Sequence, residues 1–229
     1  MNNLLKERPD DPLNGRNLAL INFIGKENIK NKSILDIGCG LGWLEYCLAD
    51  ESKKIIGIDL DKENIKTGMK YVKRKNVSFK VADALKLPIK TRTKDIVVSS
   101  EILEHLPKGS EAIFFREVNR VLKNGGFLYL TTPFDNFWAK VFDPAWWLIN
   151  HRHYSYKKLV KMARENGLSE IKYKVGGRWW SMVGLINLYV SKWIFRRKEF
   201  FKRFFDSKEK EEFFRDNGWM NIFVAFKKP

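Results

Sequence analysis

The chain has 229 residues, 44% of them apolar, and a formal charge of +16. Such a composition excludes a disordered chain, and the length suffices for an α/β core covered on two sides. The excess of lysine and arginine points to anionic partners, such as a phospholipid surface, nucleic acid or an acidic substrate.

The two cysteines, Cys39 and Cys47, form no Cys-x-x-Cys pair, which argues against a disulfide framework and against a zinc site. The N-terminus lacks the apolar core of a signal peptide. No uncharged apolar stretch reaches the ~18 residues of a membrane span. A cytoplasmic protein, peripheral at most, is expected.

Residues 1–15 read as an N-terminal arm, with Pro9 and Pro12 discouraging regular structure. Gly15 to Ile24 has helical spacing. Then comes SILDIGCGLG, Ser33 to Gly42: an apolar strand, three alternating glycines and a helix pattern from Trp43. Such a turn lets the backbone pass close to a ligand. Strand and helix patterns then alternate. Strands are expected at Lys54–Ile58, Val77–Val81, Asp95–Ser99, Phe127–Thr131, Leu168–Val175 and Met220–Phe226. Helices are expected from Asp61, over Glu111–Leu122, which Asn124-Gly125-Gly126 would end, and over Ser155–Asn166. The fold class that follows is α/β, a doubly wound sheet, with Gly38, Asp59, Asp83, Ser100 and Thr132 at one edge.

The turn is not the usual dinucleotide pattern. Its third glycine is Gly42, and Trp43 occupies the place of a dinucleotide glycine. Asp36 would repel pyrophosphate and attract an ammonium. Asp59 can accept from two ribose hydroxyls, and Asp83 from an exocyclic amine. S-adenosylmethionine has all three groups.

LDIGCGLG, GIDLD, VADALKLP, SSEILEHLP and LKNGGFLYLTTP, in this order and spacing, resemble the class I S-adenosylmethionine-dependent methyltransferases. The likeness extends to the methyltransferase-11 and ubiquinone-biosynthesis O-methyltransferase groups. The resemblance covers roughly residues 30–175 plus the last strand. It implies a seven-stranded Rossmann-like sheet with an antiparallel last strand, reached here after a long helical insertion. It also implies that Asp36, Gly38, Cys39 and Gly40 hold the methionine portion of the cofactor. Asp59 and Leu60 would flank the ribose, Asp83 and Ala84 the adenine, and Glu101 the sulfur end. The string Glu101-x-x-Glu104-His105 resembles the metal-using members, so a divalent cation such as Mg²⁺ has a candidate set there.

Residues 134–154, with Phe134, Phe137, Trp138, Phe142, Trp146 and Trp147, read as an acceptor lid within the methyltransferase domain expected over 1–229. His151 or His153 could take a proton from an acceptor. The string His-x-His-Tyr-Ser resembles a common family feature at the start of the helix expected over Ser155–Asn166, which implies a structural role for Tyr154 and Ser155. No Asn/Asp-Pro-Pro-Tyr string follows the fourth strand, which argues against methylation of DNA adenine or protein glutamine. Residues 176–218 are a basic aromatic insertion. Phe200, Phe201, Phe204 and Phe205 stand there at helical spacing among Arg196, Arg197, Lys198, Lys202 and Arg203, as on an interfacial amphipathic helix. The sequence therefore predicts methyl transfer to an O or N of a small-molecule or lipid-like acceptor, with an anionic membrane surface as a second partner. An RNA methyltransferase and a non-catalytic cofactor-binding scaffold are the alternatives.

Overall fold

A computed structural model of the chain describes residues 8–11, 13–143, 146 and 151–229. Most of the expected arm, and Trp147 with its neighbours in the expected lid, lie outside the described residues. Helices α1 (Gly15–Ile24) and α2 (Lys26–Ile29) lead into β1 (Ser33–Ile37), α3 (Trp43–Leu48), β2 (Lys54–Asp59), α4 (Lys62–Tyr71), β3 (Val77–Val81) and β4 (Lys94–Ser100). A 3₁₀ turn, Leu103–His105, precedes α5 (Glu111–Val121), β5 (Leu122–Pro133) and α6 (Phe137–Phe142). The chain continues through α7 (Tyr156–Glu165), β6 (Ser169–Gly176), α8 (Trp179–Tyr189), a π-turn at Val190–Ile194, α9 (Lys202–Phe214) and β7 (Asn221–Lys227).

The seven strands form one sheet in the order β3-β2-β1-β4-β5-β7-β6. β7 runs antiparallel to both β5 and β6. The alternation of side chains along each strand explains the two covered faces. Leu35, Ile37, Val97, Leu128, Leu130 and Val224 point into one core, closed by Phe114, Phe115 and Val118 of α5 and Leu159 and Ala163 of α7. Their neighbours Ile34, Ile55, Ile96, Val98, Tyr129 and Phe223 enter the other, closed by Leu20, Phe23 and Ile24 of α1, Leu44 and Leu48 of α3, and Phe213 of α9. The strand order reverses direction at β1, which lies between β2 and β4. The carboxyl ends of β1 and β4 therefore open a crevice.

Side-chain caps start several helices where the sequence places them: Asp61 accepts from the Glu63 amide and Ser155 from the Lys158 amide. Two expectations need correction. The α5 helix ends at Val121, and the following residues already belong to β5, with an irregular register between Lys94 and Ile96. The basic helix begins only at Lys202, because Phe201 takes a left-handed conformation (φ 49°) that a right-handed helix cannot continue through. Phe200 and Phe201 thus belong to the loop before α9.

Candidate functional site

Three glycines build the turn after β1. Gly38, Gly40 and Gly42 have φ of 75°, 52° and 89°, a region that strains any other residue. A Cβ on Gly38 would strike the Ile102 side chain, so this glycine lets the segment after β4 close on the turn. A Cβ on Gly40 would meet nothing within 4 Å, which leaves open space beside the backbone there. The turn is tied to β2 by the Gly38 and Cys39 amides, which donate to the Ile58 carbonyl at 2.8 and 2.9 Å.

Acids crowd this turn. Asp59, at the end of β2, accepts from the Gly40 amide at 2.9 Å and the Asp61 amide at 2.8 Å. Asp36 is buried, and burial, with help from Asp59, pushes its carboxyl up to about 8. Glu45 on α3 is fully buried, and neither of its oxygens has a hydrogen-bond partner. Burial and then Asp36 hold it well above the usual carboxylate range. Gly57 makes room for it, since a Cβ there would collide with the Glu45 carboxylate. Leu60 is exposed beyond Asp59, Ala84 is buried, and Asp83 accepts from the Leu85 amide at 2.8 Å in the loop after β3.

Across the crevice, Glu101 has a φ of 55° and a carboxylate held from three elements. Arg16 of α1 donates at 3.1 Å, Asn221 of β7 at 2.8 Å and Thr131 of β5 at 2.9 Å. The Nε of Arg16 is buried without a partner. Glu104 is buried; Thr132 donates to its Oε2 at 2.9 Å, while Oε1 has no partner. Its carboxyl lies well above the usual range because of burial and then Glu101.

The lid residues meet this edge. One oxygen of Asp143, Oδ2, lies 2.9 Å from His151 Nδ1 and 2.9 Å from His153 Nε2. The other nitrogen of His153 is 3.1 Å from the Phe134 carbonyl, which can only accept. His153 therefore donates from Nδ1, and its Nε2 faces Asp143. His151 donates from Nδ1 to Asp143, which leaves its Nε2 as an acceptor. That atom is buried without a hydrogen-bond partner, 3.9 Å from Glu104 Oε1. The His105 ring packs on His151 at 4.8 Å. Of the expected metal set, Glu104 and His105 come together, and His151 joins them where Glu101 turns away to Arg16.

Three residues of this edge are absent from the sequence reading. Arg16 was hidden by its distance along the chain from every motif. Arg152, between the two histidines, donates to the carbonyls of Leu103 and Leu106 and, at 2.6 Å, to Glu111. It thereby fixes the turn that carries Glu104. Asp143 carried no signal beyond being an acid in an aromatic stretch. Tyr154 is fully buried and donates to Glu111 at 3.0 Å, a structural role.

Residues 35–130 match the model of a methyltransferase domain family. Over this segment the chain is similar to methyltransferase domains. A ubiquinone biosynthesis O-methyltransferase of Pelagibacter ubique is 31% identical over 136 residues, which are 53% of this chain and 55% of that protein. The chain thus spans about half the length of the curated relatives it matches. Among solved structures, a putative sarcosine dimethylglycine methyltransferase from Galdieria sulphuraria superposes with a TM-score of 0.67 at 19% identity, covering 93% of this chain and 84% of that one. Phosphoethanolamine N-methyltransferase 2 of Haemonchus contortus, solved with S-adenosylhomocysteine, gives 0.69 at 20% identity over 93% of this chain and 52% of that one. Both show the fold of this methyltransferase domain.

The residues present fit the cofactor of the family. Among the described residues the acids around the glycine turn lack a cation, Gly40 faces open space, and the Arg16 Nε is an unused donor. A ligand with an ammonium, a sulfonium and a carboxylate meets all three needs.

Proposed function

We propose that the chain transfers a methyl group to an O or N of a small-molecule or lipid-like acceptor at a membrane surface. Bound in the crevice, S-adenosylmethionine supplies an electrophilic methyl on a sulfonium. Asp36, with the backbone of Gly38, Cys39 and Gly40, would hold the methionine portion, and Arg16 its carboxylate. Asp59 and Leu60 would flank the ribose, Asp83 and Ala84 the adenine, and Glu101 the sulfur end. The observation that carries the reading is a histidine whose second nitrogen is unused, 3.9 Å from Glu104, which follows β4 in the segment that closes on the glycine turn through Ile102.

His151 is the proton acceptor in this reading. Asp143 holds its tautomer, so Nε2 takes the proton from an acceptor hydroxyl or amine as the methyl is transferred. His153 is committed on both nitrogens and serves to fix Asp143. Residues 134–154 act as a lid that excludes water, and most of the rate acceleration comes from positioning. The relative named for O-methyl transfer supports an oxygen acceptor. Transfer of labelled methyl to a cell extract, fractionated into lipid, small molecules, RNA and protein, tests the reading. Label in the lipid or small-molecule fraction is expected; label confined to RNA would establish the RNA alternative.

A second reading is favoured by the gathering of Glu104, His105 and His151, whose ligand atoms lie within 4.8 Å of one another. A divalent cation there would lower the pKa of an acceptor hydroxyl. The two readings exclude each other at His151, since Nε2 has one lone pair. Activity undiminished in excess chelator removes the cation; activity restored by added Mg²⁺ removes the free base.

A further inference from the structure

The loop from Ile194 to Phe201 and the first turn of α9 carry a surface that the cofactor site does not use. Ile194 is 69% exposed, Phe195 57% and Phe201 79%, and Phe204 is exposed behind them. Between Ile194 and Phe204 five lysines and arginines stand against one acid, Glu199. That acid pairs with Lys202. Among the described residues Arg196, Arg197, Lys198 and Arg203 make no ion pair, and Arg197 lies instead over the Phe200 ring at 4.1 Å. The loop is held firmly: the Asn187 side chain donates to the Phe200 carbonyl at 2.7 Å, and the Arg197 amide to the Ser191 carbonyl at 3.0 Å. Its apolar residues are therefore presented by a built loop.

Ring contacts extend this surface. Phe204 packs on Trp180 at 5.4 Å, and the next residue back, Trp179, packs on Trp138 of α6 at 5.7 Å. Trp179, Trp180, Trp138 and Phe137 are all exposed. An exposed apolar belt thus leads from the loop to the first helix of the expected lid.

We propose that this surface docks on a lipid bilayer carrying anionic headgroups, with Ile194, Phe195 and Phe201 entering the headgroup boundary. The free cations choose the charge of the partner, and the exposed side chains choose its depth. Nucleic acid could stack on Phe195 and Phe201, but it has no use for Ile194, an aliphatic side chain exposed to 69% beside them, which a bilayer would take up. The inference deepens the lipid-like acceptor reading, since α6 would then open toward the bilayer. Vesicle binding is read without turnover, so each can fail alone.

The test is co-sedimentation of the full chain with vesicles of phosphatidylcholine containing phosphatidylglycerol, against phosphatidylcholine alone, at low and high salt. Binding to the anionic vesicles only, weakened by salt, is expected. Phe201→Gly suits the left-handed position better than the native residue, so it should fold at least as well. It should nevertheless bind vesicles about tenfold or more weakly. Replacing Arg196 by Gly, or Arg203 by Ser, should weaken binding about fivefold each. The proposal is overturned if anionic vesicles do not bind, if neutral vesicles bind equally, or if Phe201→Gly binds undiminished. An RNA oligomer captured in place of vesicles also overturns it. So does a wild-type dimer that Phe201→Gly splits, which would make the face a contact between copies.

Discussion

Asp36 and Glu45 bury two carboxyl groups against each other beside the glycine turn. An uncompensated buried charge costs several kcal/mol, so protonation is the cheaper state until a cation arrives. The sign follows. In the unfolded chain Asp36 releases its proton near pH 4, whereas in the folded chain it keeps it to about pH 8. The unfolded state therefore gains relative stability as pH rises between these values, and the melting temperature should fall from pH 5 to pH 8. Glu45→Met, which removes two unsatisfied oxygens, should raise stability by about 1–3 kcal/mol and flatten that slope, read by thermal denaturation at both pH values. A ligand ammonium favours the ionised Asp36. Binding of S-adenosylhomocysteine should therefore tighten from pH 6 to pH 8 and release a proton, as calorimetry in two buffers would show. Asp36→Asn should abolish that proton release; its persistence would place the proton elsewhere. The sequence made Asp36 and Asp59 legible because each stands at or next to the end of an apolar strand. Glu45 was hidden, since its burial depends on a glycine two strands' spacing away, Gly57, that leaves room for it.

The strand–helix alternation was legible for a simple reason: apolar runs and capping residues are local signals. Where a left-handed residue decides the outcome, as at Phe201 before α9, spacing misleads. The acceptor side is the opposite case. The turn at Leu103–His105 takes its shape from Arg152, almost fifty residues later, and the His151 ring is held by Asp143. No spacing rule connects such partners. The geometry separates two histidines that the sequence leaves equal. His151→Ala should lower kcat by about 10²–10⁴ with S-adenosylhomocysteine affinity unchanged. Asp143→Asn should lower kcat less and leave KM for S-adenosylmethionine nearly as it was. If kcat survives His151→Ala, the free-base reading fails, and the measurement needs only steady-state kinetics.

The insertion is tied to the body of the molecule through α1. The Cβ of a residue replacing Gly15 would lie 2.6–2.8 Å from backbone atoms of Glu209 and Lys210 on α9, so the two helices touch through bare backbone. The next residue, Arg16, reaches Glu101. Gly15→Ala should therefore push α1 off α9 and weaken S-adenosylhomocysteine binding several-fold while the sheet stays folded, as calorimetry and far-ultraviolet circular dichroism would show. Removing Arg16 itself, by Arg16→Ala, should weaken binding without moving α9.

β7 lies between β5 and β6, although it is the last strand in the chain. Its backbone closes both neighbours, and Ile222, Val224 and Phe226 fill one core while Phe223 and Ala225 fill the other. During synthesis, then, the first five strands wait with the edge of β5 bare until residues 221–227 leave the ribosome. A stop codon ahead of residue 221 would leave a sticky edge and two open cores, and the product would be a substrate for chaperones and proteases.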